Sequence, residues 1–422
     1  MNKRDNYSNV SGNDLHCEIK RGGYVSELFN STRSCIMAAL ETKEERVIVP
    51  IPFWSTVQIY AYAFIYSLWV CSKTLVRWIW NYKVSVTYKT RDNPPLILVD
   101  STIGRHSYVK VKGAKLHYVE AGQRGNPPIL LLHGFPDCWV GWRHQFPALS
   151  TSHRLVALDL LGCGDSDKPA SRYQYTPAKV LAQLKMVLEG LAAQPPHRAP
   201  TVIAHDLGGL LAWFLAHECS ELIERLVIIS SPHPNIFWDS LPAASSFNAK
   251  WMYTAQVPFL VECEALRGDM ALLDKCHTHL NKKTINGSSS TLIEAYKYVF
   301  SRRQDWSGPI NYFRNFIFWR VTEDRGKIKI PVLIITGNKD PQVSLECMVR
   351  SSEWCSQATL KIVHGAGHFP HQECPQDFNR LLNDFIITDK IVTVPKPGLG
   401  VMGVDAARGL VGRMLGAVHL FT

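Results

Sequence analysis

The sequence predicts an α/β protein: a mostly parallel sheet covered by helices, interrupted by an inserted helical layer and led by one apolar N-terminal helix. Three observations predict it. Between residues 106 and 389, short apolar runs alternate with stretches of helical periodicity, the pattern of strands joined by crossover helices. At Thr201–Gly209 (TVIAHDLGG) one such strand runs straight into a turn of small residues. From 232 to 325 the alternation stops, and a largely helical stretch rich in Phe, Tyr and Trp takes its place.

A chain of 422 residues holds one large or two ordinary domains, and its 46% hydrophobic content is ordinary for a globular protein. The net charge of +10 raises nucleic acid as a partner. Neither a Lys/Arg block nor aromatics interleaved with basic clusters supports that partner. Much of the excess flanks the apolar segment instead, which favours a membrane surface. The eleven cysteines form no CxxC pair and no even framework, which suits buried free thiols in a reducing compartment. There is no HExxH, no Gly-rich phosphate loop and no Cys/His cluster, so neither metal nor organic cofactor is expected.

Residues 1–46 are polar and aperiodic, the mark of a disordered tail. Residues 47–80 form the apolar segment and its flank. No charge occurs from Val47 to Ser72, and Phe53–Cys71 is close to the ~20 residues that cross a bilayer as a helix. Trp78 and Trp80, with Lys73 and Arg77, follow as an interfacial belt. The long polar stretch ahead excludes a cleaved signal peptide. Ser55, Thr56, Gln58 and Ser67 keep an interfacial or core helix as the alternative. Lys73, Arg77, Lys83, Lys89 and Arg91 outweigh Arg33, Lys43 and Arg46. A single-pass anchor in the endoplasmic reticulum, with the downstream part in the cytoplasm, is therefore expected. Sequons at Asn6, Asn9 and Asn30 agree with that orientation, whereas use of Asn286 would reverse it.

After a linker (81–105), the first core part spans 106–231. Ser107–Glu120 reads as an entry hairpin around Lys112-Gly-Ala114. Strands follow at Pro128–Gly134, Leu155–Leu161, Val202–His205 and Leu226–Ser230. Helices are expected at Thr176–Leu191, capped by Thr176, and at Leu207–Ala216. The helical insert (232–325) reads as a lid over an apolar pocket. The second core part (326–389) adds strands Val332–Thr336 and Leu360–Val363. The tail 390–422 is glycine-rich and suggests no role.

The chemistry sits at the strand ends. Asp206 occupies the apex of the small-residue turn, with Ala204 and Gly208 two positions either side, the spacing of a nucleophile elbow. A serine there would attack a carbonyl, but a carboxylate attacks a saturated carbon and becomes the acyl half of an ester. Epoxides and alkyl halides are such electrophiles. His133-Gly-Phe-Pro-Asp137 alone is a Gly-Pro turn. Ahead of an elbow it can set the Phe135 amide beside that of Leu207, giving two donors for an oxyanion. Asp340 (in GNKDP) and His368 (in GAGH) each follow a strand, and an Asp-Pro turn or a structural histidine would explain either one singly. Together the order 206, 340, 368 is the nucleophile, acid, histidine order of α/β-hydrolases.

From about Ser107 to Asp389 the chain resembles the epoxide hydrolase family of α/β-hydrolases, carried by HGFPD, HDLGG and GxGH. SPHPNIF (231–237) and AYKYVFSRRQDWSGPINYFRN (295–315), behind an N-terminal anchor, are similar to its membrane-anchored types 3 and 4. The resemblance implies the α/β-hydrolase fold and hydrolysis of an epoxide to a vicinal diol, while the Asp elbow, the aromatic lid and the apolar anchor point to a lipophilic, lipid-derived substrate. Asp206 would attack a ring carbon, Asp340 would orient His368, and His368 would activate the water that cleaves the ester. It also implies two lid tyrosines that hydrogen-bond the epoxide oxygen, and here the chain departs from the family. Asn311-Tyr-Phe-Arg-Asn315 puts Phe313, which has no hydroxyl, in one tyrosine position. Tyr312 lies one helical step, about 100°, away. WMYTAQVP (251–258) offers Tyr253, with Thr254 as alternative, for the other. One lost donor is worth about 2.7–4 kcal/mol in the transition state. Two other readings remain open. A dehalogenase is disfavoured by Leu207, where such enzymes carry tryptophan. A low-activity hydrolase-like protein that binds a lipid or protein is motivated by Phe313.

Overall fold

The computed structural model describes residues 47–80, 91–238, 241–243, 245–281 and 289–387. The expectations for the tails 1–46 and 390–422, for the sequons at Asn6, Asn9, Asn30 and Asn286, and for linker residues 81–90 lie outside these.

Eight strands make the central sheet: β1 (Arg105–Val111), β2 (Ala114–Ala121), β3 (Pro128–Leu132), β4 (Arg154–Leu158), β5 (Thr201–His205), β6 (Leu226–Ile229), β7 (Val332–Gly337) and β8 (Ala358–Val363). Their spatial order is β1-β2-β4-β3-β5-β6-β7-β8. The entry hairpin β1–β2 and the β2–β4 pair are antiparallel, and every later pair is parallel. Ile129–Leu132, Val202–Ala204 and Leu226–Ile229 are fully buried. Such unbroken apolar runs are required where helices cover both faces of a sheet. Helix Pro177–Ala192 starts after Thr176 as expected, but the Thr176 hydroxyl donates to the Tyr173 carbonyl instead of capping the helix.

Between β6 and β7 the lid is built from helices, chiefly Ala249–Ala255, Leu260–Ala265, Arg267–Cys276, Ser289–Val299 and Arg303–Phe316. Its hub is Arg314. That guanidinium pairs with buried Glu262 (2.7 Å) and donates to the carbonyls of Ala255 and Val257, so one charge joins three segments.

The N-terminal helix Phe53–Trp80 is long and apolar enough over Phe53–Val76 to cross a membrane. It is not a detached anchor. Ile48–Pro50, just ahead of it, pairs antiparallel with Trp319–Val321 at the end of the lid. The rings of Tyr62 and Tyr66 lie 5.2 and 5.9 Å from that of Tyr253, and Tyr60 stacks on Phe318 (5.4 Å). Ala63 and Ser67 are buried in this contact, whereas Phe53 (72%) and Trp54 (76%) are exposed. The linker is also tied down: Arg91 forms a two-bonded pair with Asp269 (2.7 Å) and contacts Glu294 (3.1 Å), both lid residues. Aromatic and ionic contacts thus fasten segments that the polar–apolar pattern alone separates. The nine cysteines among the described residues are free, six of them buried.

Candidate active site

The elbow follows from sterics. β5 ends at His205, and helix Asp206–Glu218 begins on the next residue. The turn requires φ = +45° at Asp206, a left-handed conformation costing on the order of 1–3 kcal/mol in a non-glycine residue. Two hydrogen bonds hold it there. The Gly208 amide donates to the His133 carbonyl (3.1 Å), and the Ser231 hydroxyl donates to the Asp206 carbonyl (2.8 Å). Glycine is obligatory beside it. A Cβ at 208 would come within 2.5 Å of the Leu132 carbonyl oxygen, and one at 134 within 2.8 Å of Asp206 Cβ.

Asp206 stands at the C-terminal edge of the sheet, where open α/β sheets bind ligands. The Phe135 amide donates to its Oδ2 (2.9 Å). The Leu207 amide, the other expected donor, lies in the first turn of the helix, where no intrahelical acceptor exists. His368 comes from the loop after β8, and its Nε2 lies 3.5 Å from Asp206 Oδ1. That is a charge contact rather than a hydrogen bond, and Nε2 has no hydrogen-bond partner. His368 Nδ1 donates to Asp340, 2.9 Å from Oδ2 and 3.1 Å from Oδ1. Asp340 Oδ1 also accepts the Gln342 and Val343 amides (2.8 and 3.1 Å). Three residues far apart in sequence meet here. Of their side chains, Asp206 is the accessible one, at 12% against 3% for His368 and 1% for Asp340.

Electrostatics follow from this layout. Burial pulls the His368 pKa down, but Asp340 and Asp206 outweigh it and raise the imidazole to about 10. Burial pushes Asp206 up, yet His368, His205 and the Phe135 amide hold it below its ordinary value. With that raised pKa, His368 is an imidazolium at neutral pH.

Several supporting residues carried no sequence signal as partners of the site. His205 Nε2 donates to the His368 carbonyl (2.8 Å), fixing the histidine loop from beneath. Its adjacency to Asp206 in HDLGG is the one hint. His133 Nδ1 donates to the Gly134 carbonyl while Nε2 accepts the Leu160 amide, bracing the donor turn. Asp137 accepts from Tyr296 (2.7 Å), and burial raises its pKa to about 7. Asp137, His205 and His371 present ligand atoms within 4.8 Å of one another, all buried.

The lid tyrosines depart from expectation. Tyr312 is fully buried and donates to the Leu161 carbonyl (3.0 Å). Tyr253 faces the N-terminal helix, and Thr254 donates to the Lys250 carbonyl. What surrounds Phe135 is aromatic: Phe247, Phe313, Trp306, Trp251 and Phe300, with centroids 5.1–6.4 Å away. Helical phase explains this, since residues 312 and 313 differ by about 100° and only Phe313 points to Phe135.

Residues 127–374 match the alpha/beta hydrolase fold family. Epoxide hydrolase 4 of Mus musculus is 34% identical over 305 residues, covering 70% of this chain and 83% of that protein. Epoxide hydrolase 3 of Xenopus tropicalis is 30% identical over 311 residues, covering 72% and 83%. Among solved structures, an inhibitor complex of Bacillus megaterium epoxide hydrolase superposes with a TM-score of 0.57 at 26% identity. It spans 67% of this chain and all of that one.

Proposed function

Because the chain belongs to the epoxide hydrolases of the α/β-hydrolase fold, and is such an enzyme, we propose that it works through an ester on Asp206. The observation that supports this most is the carboxylate itself, aimed from a strained elbow and flanked by Phe135 N–H and His368.

Asp206 Oδ2 is engaged by an amide, which leaves Oδ1 to attack. A C–Oδ1 bond forms, a ring C–O bond breaks, and the oxygen departs as an alkoxide. Esterification removes the negative charge of Asp206, so His368 loses one of its two carboxylate partners and its acidity rises. The imidazolium then supplies the proton that makes the alkoxide a hydroxyl. Neutral His368, still oriented by Asp340, next takes a proton from water as the water attacks the ester carbonyl. The Phe135 and Leu207 amides hold the resulting oxyanion. Collapse expels the diol oxygen, which takes the acid proton. Asp206 carboxylate and His368 imidazolium return, and the net reaction is epoxide plus water to diol.

A single turnover in ¹⁸O-water tests the scheme. The diol is expected to carry no label and the Asp206 peptide to gain one ¹⁸O. Label found wholly in the diol would exclude the ester.

For substrate, the aromatic surroundings of Phe135 support a lipophilic, lipid-derived epoxide. The apolar helix Phe53–Trp80 supports a membrane anchor, and the excess of Lys and Arg on its C-terminal side supports a catalytic part on the cytoplasmic side. Phe313 supports a second reading, a low-activity binder of lipid or protein. Phe313→Tyr separates the two: a rise in kcat of up to 10²–10³ marks a weakened enzyme, and no activity in either form marks a binder.

A further inference from the structure

Ring opening needs a hydrogen-bond donor on the departing oxygen, and the tyrosines expected to provide it are engaged elsewhere. Tyr312 donates to Leu161, and Tyr253 lies against Tyr62 and Tyr66. The side chains placed to supply it are those around Phe135, whose own amide touches the nucleophile. Phe247, Phe300 and Phe313 carry no polar hydrogen. Trp306 has one, but its indole N–H donates to the Phe300 carbonyl (2.8 Å). Trp251 remains. Its ring sits 6.1 Å from Phe135, 5.6 Å from Phe313 and 4.9 Å from Phe247. It is half-buried, its backbone N–H donates to Asn248, and no described residue accepts from its Nε1–H.

We propose that the indole N–H of Trp251 is the lid donor that holds the epoxide oxygen as Asp206 attacks. This rests on the ester mechanism above and adds a residue to it. Indole donates a hydrogen bond but does not surrender its proton at any pH the protein survives, unlike a phenol. Trp251 therefore stabilises the alkoxide without protonating it, and the proton comes from His368. Once a substrate has displaced the solvent, an N–H set among apolar rings is worth more than the same group in water. Specificity follows too. A ring donor set among Phe247 and Phe313 favours an oxygen borne on a long apolar chain over one on a small polar epoxide.

The test is pre-steady-state quenched flow on the full chain with 1,2-epoxydodecane, reading the mass of the Asp206 peptide in wild type, W251F and W251Y. W251F is expected to form the ester about 10²-fold more slowly while hydrolysing it at the wild-type rate. W251Y, which restores a donor, is expected to recover most of the loss. Ester formation by W251F within threefold of wild type overturns the assignment and leaves the ester mechanism standing. So does equal slowing of both half-reactions, the mark of a merely structural role. A wild type that forms no ester overturns the mechanism itself. If W251F does not fold, the wild-type ¹⁵N-indole resonance of Trp251, identified by its loss in W251Y, is followed during titration with dodecane-1,2-diol. A downfield shift is expected, and an unmoved resonance overturns the proposal.

Discussion

At the scale of single residues, His368 carries the strongest electrostatic prediction. Its folded pKa of about 10 exceeds the unfolded value of about 6.5. A group with a raised folded pKa adds stability in full below its unfolded pKa, and that contribution disappears as pH climbs through the folded value. Thermal unfolding scans at pH 7 and pH 10 should therefore show a drop in Tm that Asp340→Asn and Asp206→Asn each reduce. Asp340→Asn should also slow ester hydrolysis by about 10³–10⁴, as loss of an orienting carboxylate does, so the Asp206 ester should accumulate in a mass spectrum. Asp206, Asp340 and His368 were legible in the sequence because each ends a strand inside a small-residue motif. Backbone geometry at a strand end places a residue with little help from distant packing. Tyr253 and Tyr312 were not legible in this way. Their directions depend on how lid helices pack against the N-terminal helix and the loop at Leu161, and no local pattern encodes that.

At the scale of elements, the elbow and the lid are held by opposite devices, close backbone approach in one and a buried charge in the other. Gly208→Ala would force a methyl against the Leu132 and His133 carbonyls (2.5 and 2.6 Å), with no side chain free to yield. Overpacking of this kind costs about 1–3 kcal/mol, so denaturant unfolding should show a lower midpoint at unchanged slope. Glu262→Ala would orphan the buried Arg314 guanidinium and cost about 3–5 kcal/mol. Proteolysis should then cut the lid before the sheet. The strands were legible because parallel sheets buried on both faces demand apolar runs. Strand limits moved by a residue or more, as at β4, which ends at Leu158 so that Asp159 can accept the Trp139 amide. The lid was legible as a helical insert, but the limits and packing of its helices were not, since these rest on ion pairs such as Arg91–Asp269 that span the sequence.

At the scale of the whole molecule, the unexpected feature is the seating of the N-terminal helix on the lid. One face meets Tyr253 and Phe318, and the other exposes Phe53, Trp54, Phe64, Ile65 and Leu68. Full-length protein should float with phosphatidylcholine vesicles in a density gradient, and a form lacking residues 1–80 should stay at the bottom. That truncation also uncovers Tyr253 and Phe318, so it should lower Tm as well as abolish flotation. An unchanged Tm would mean that the tyrosine contacts contribute nothing.

The stacking of Tyr253 against Tyr62 and Tyr66 joins two parts that could otherwise move independently. Tyr253 shares a helix with Trp251, whose ring lies 6.1 Å from that of Phe135, so a displacement of the N-terminal helix is passed to the aromatic cluster around Phe135. On the anchoring proposed for that helix, bilayer thickness or tension would act as a mechanical input to turnover, much as a hand on a hinge pin sets how far a door swings.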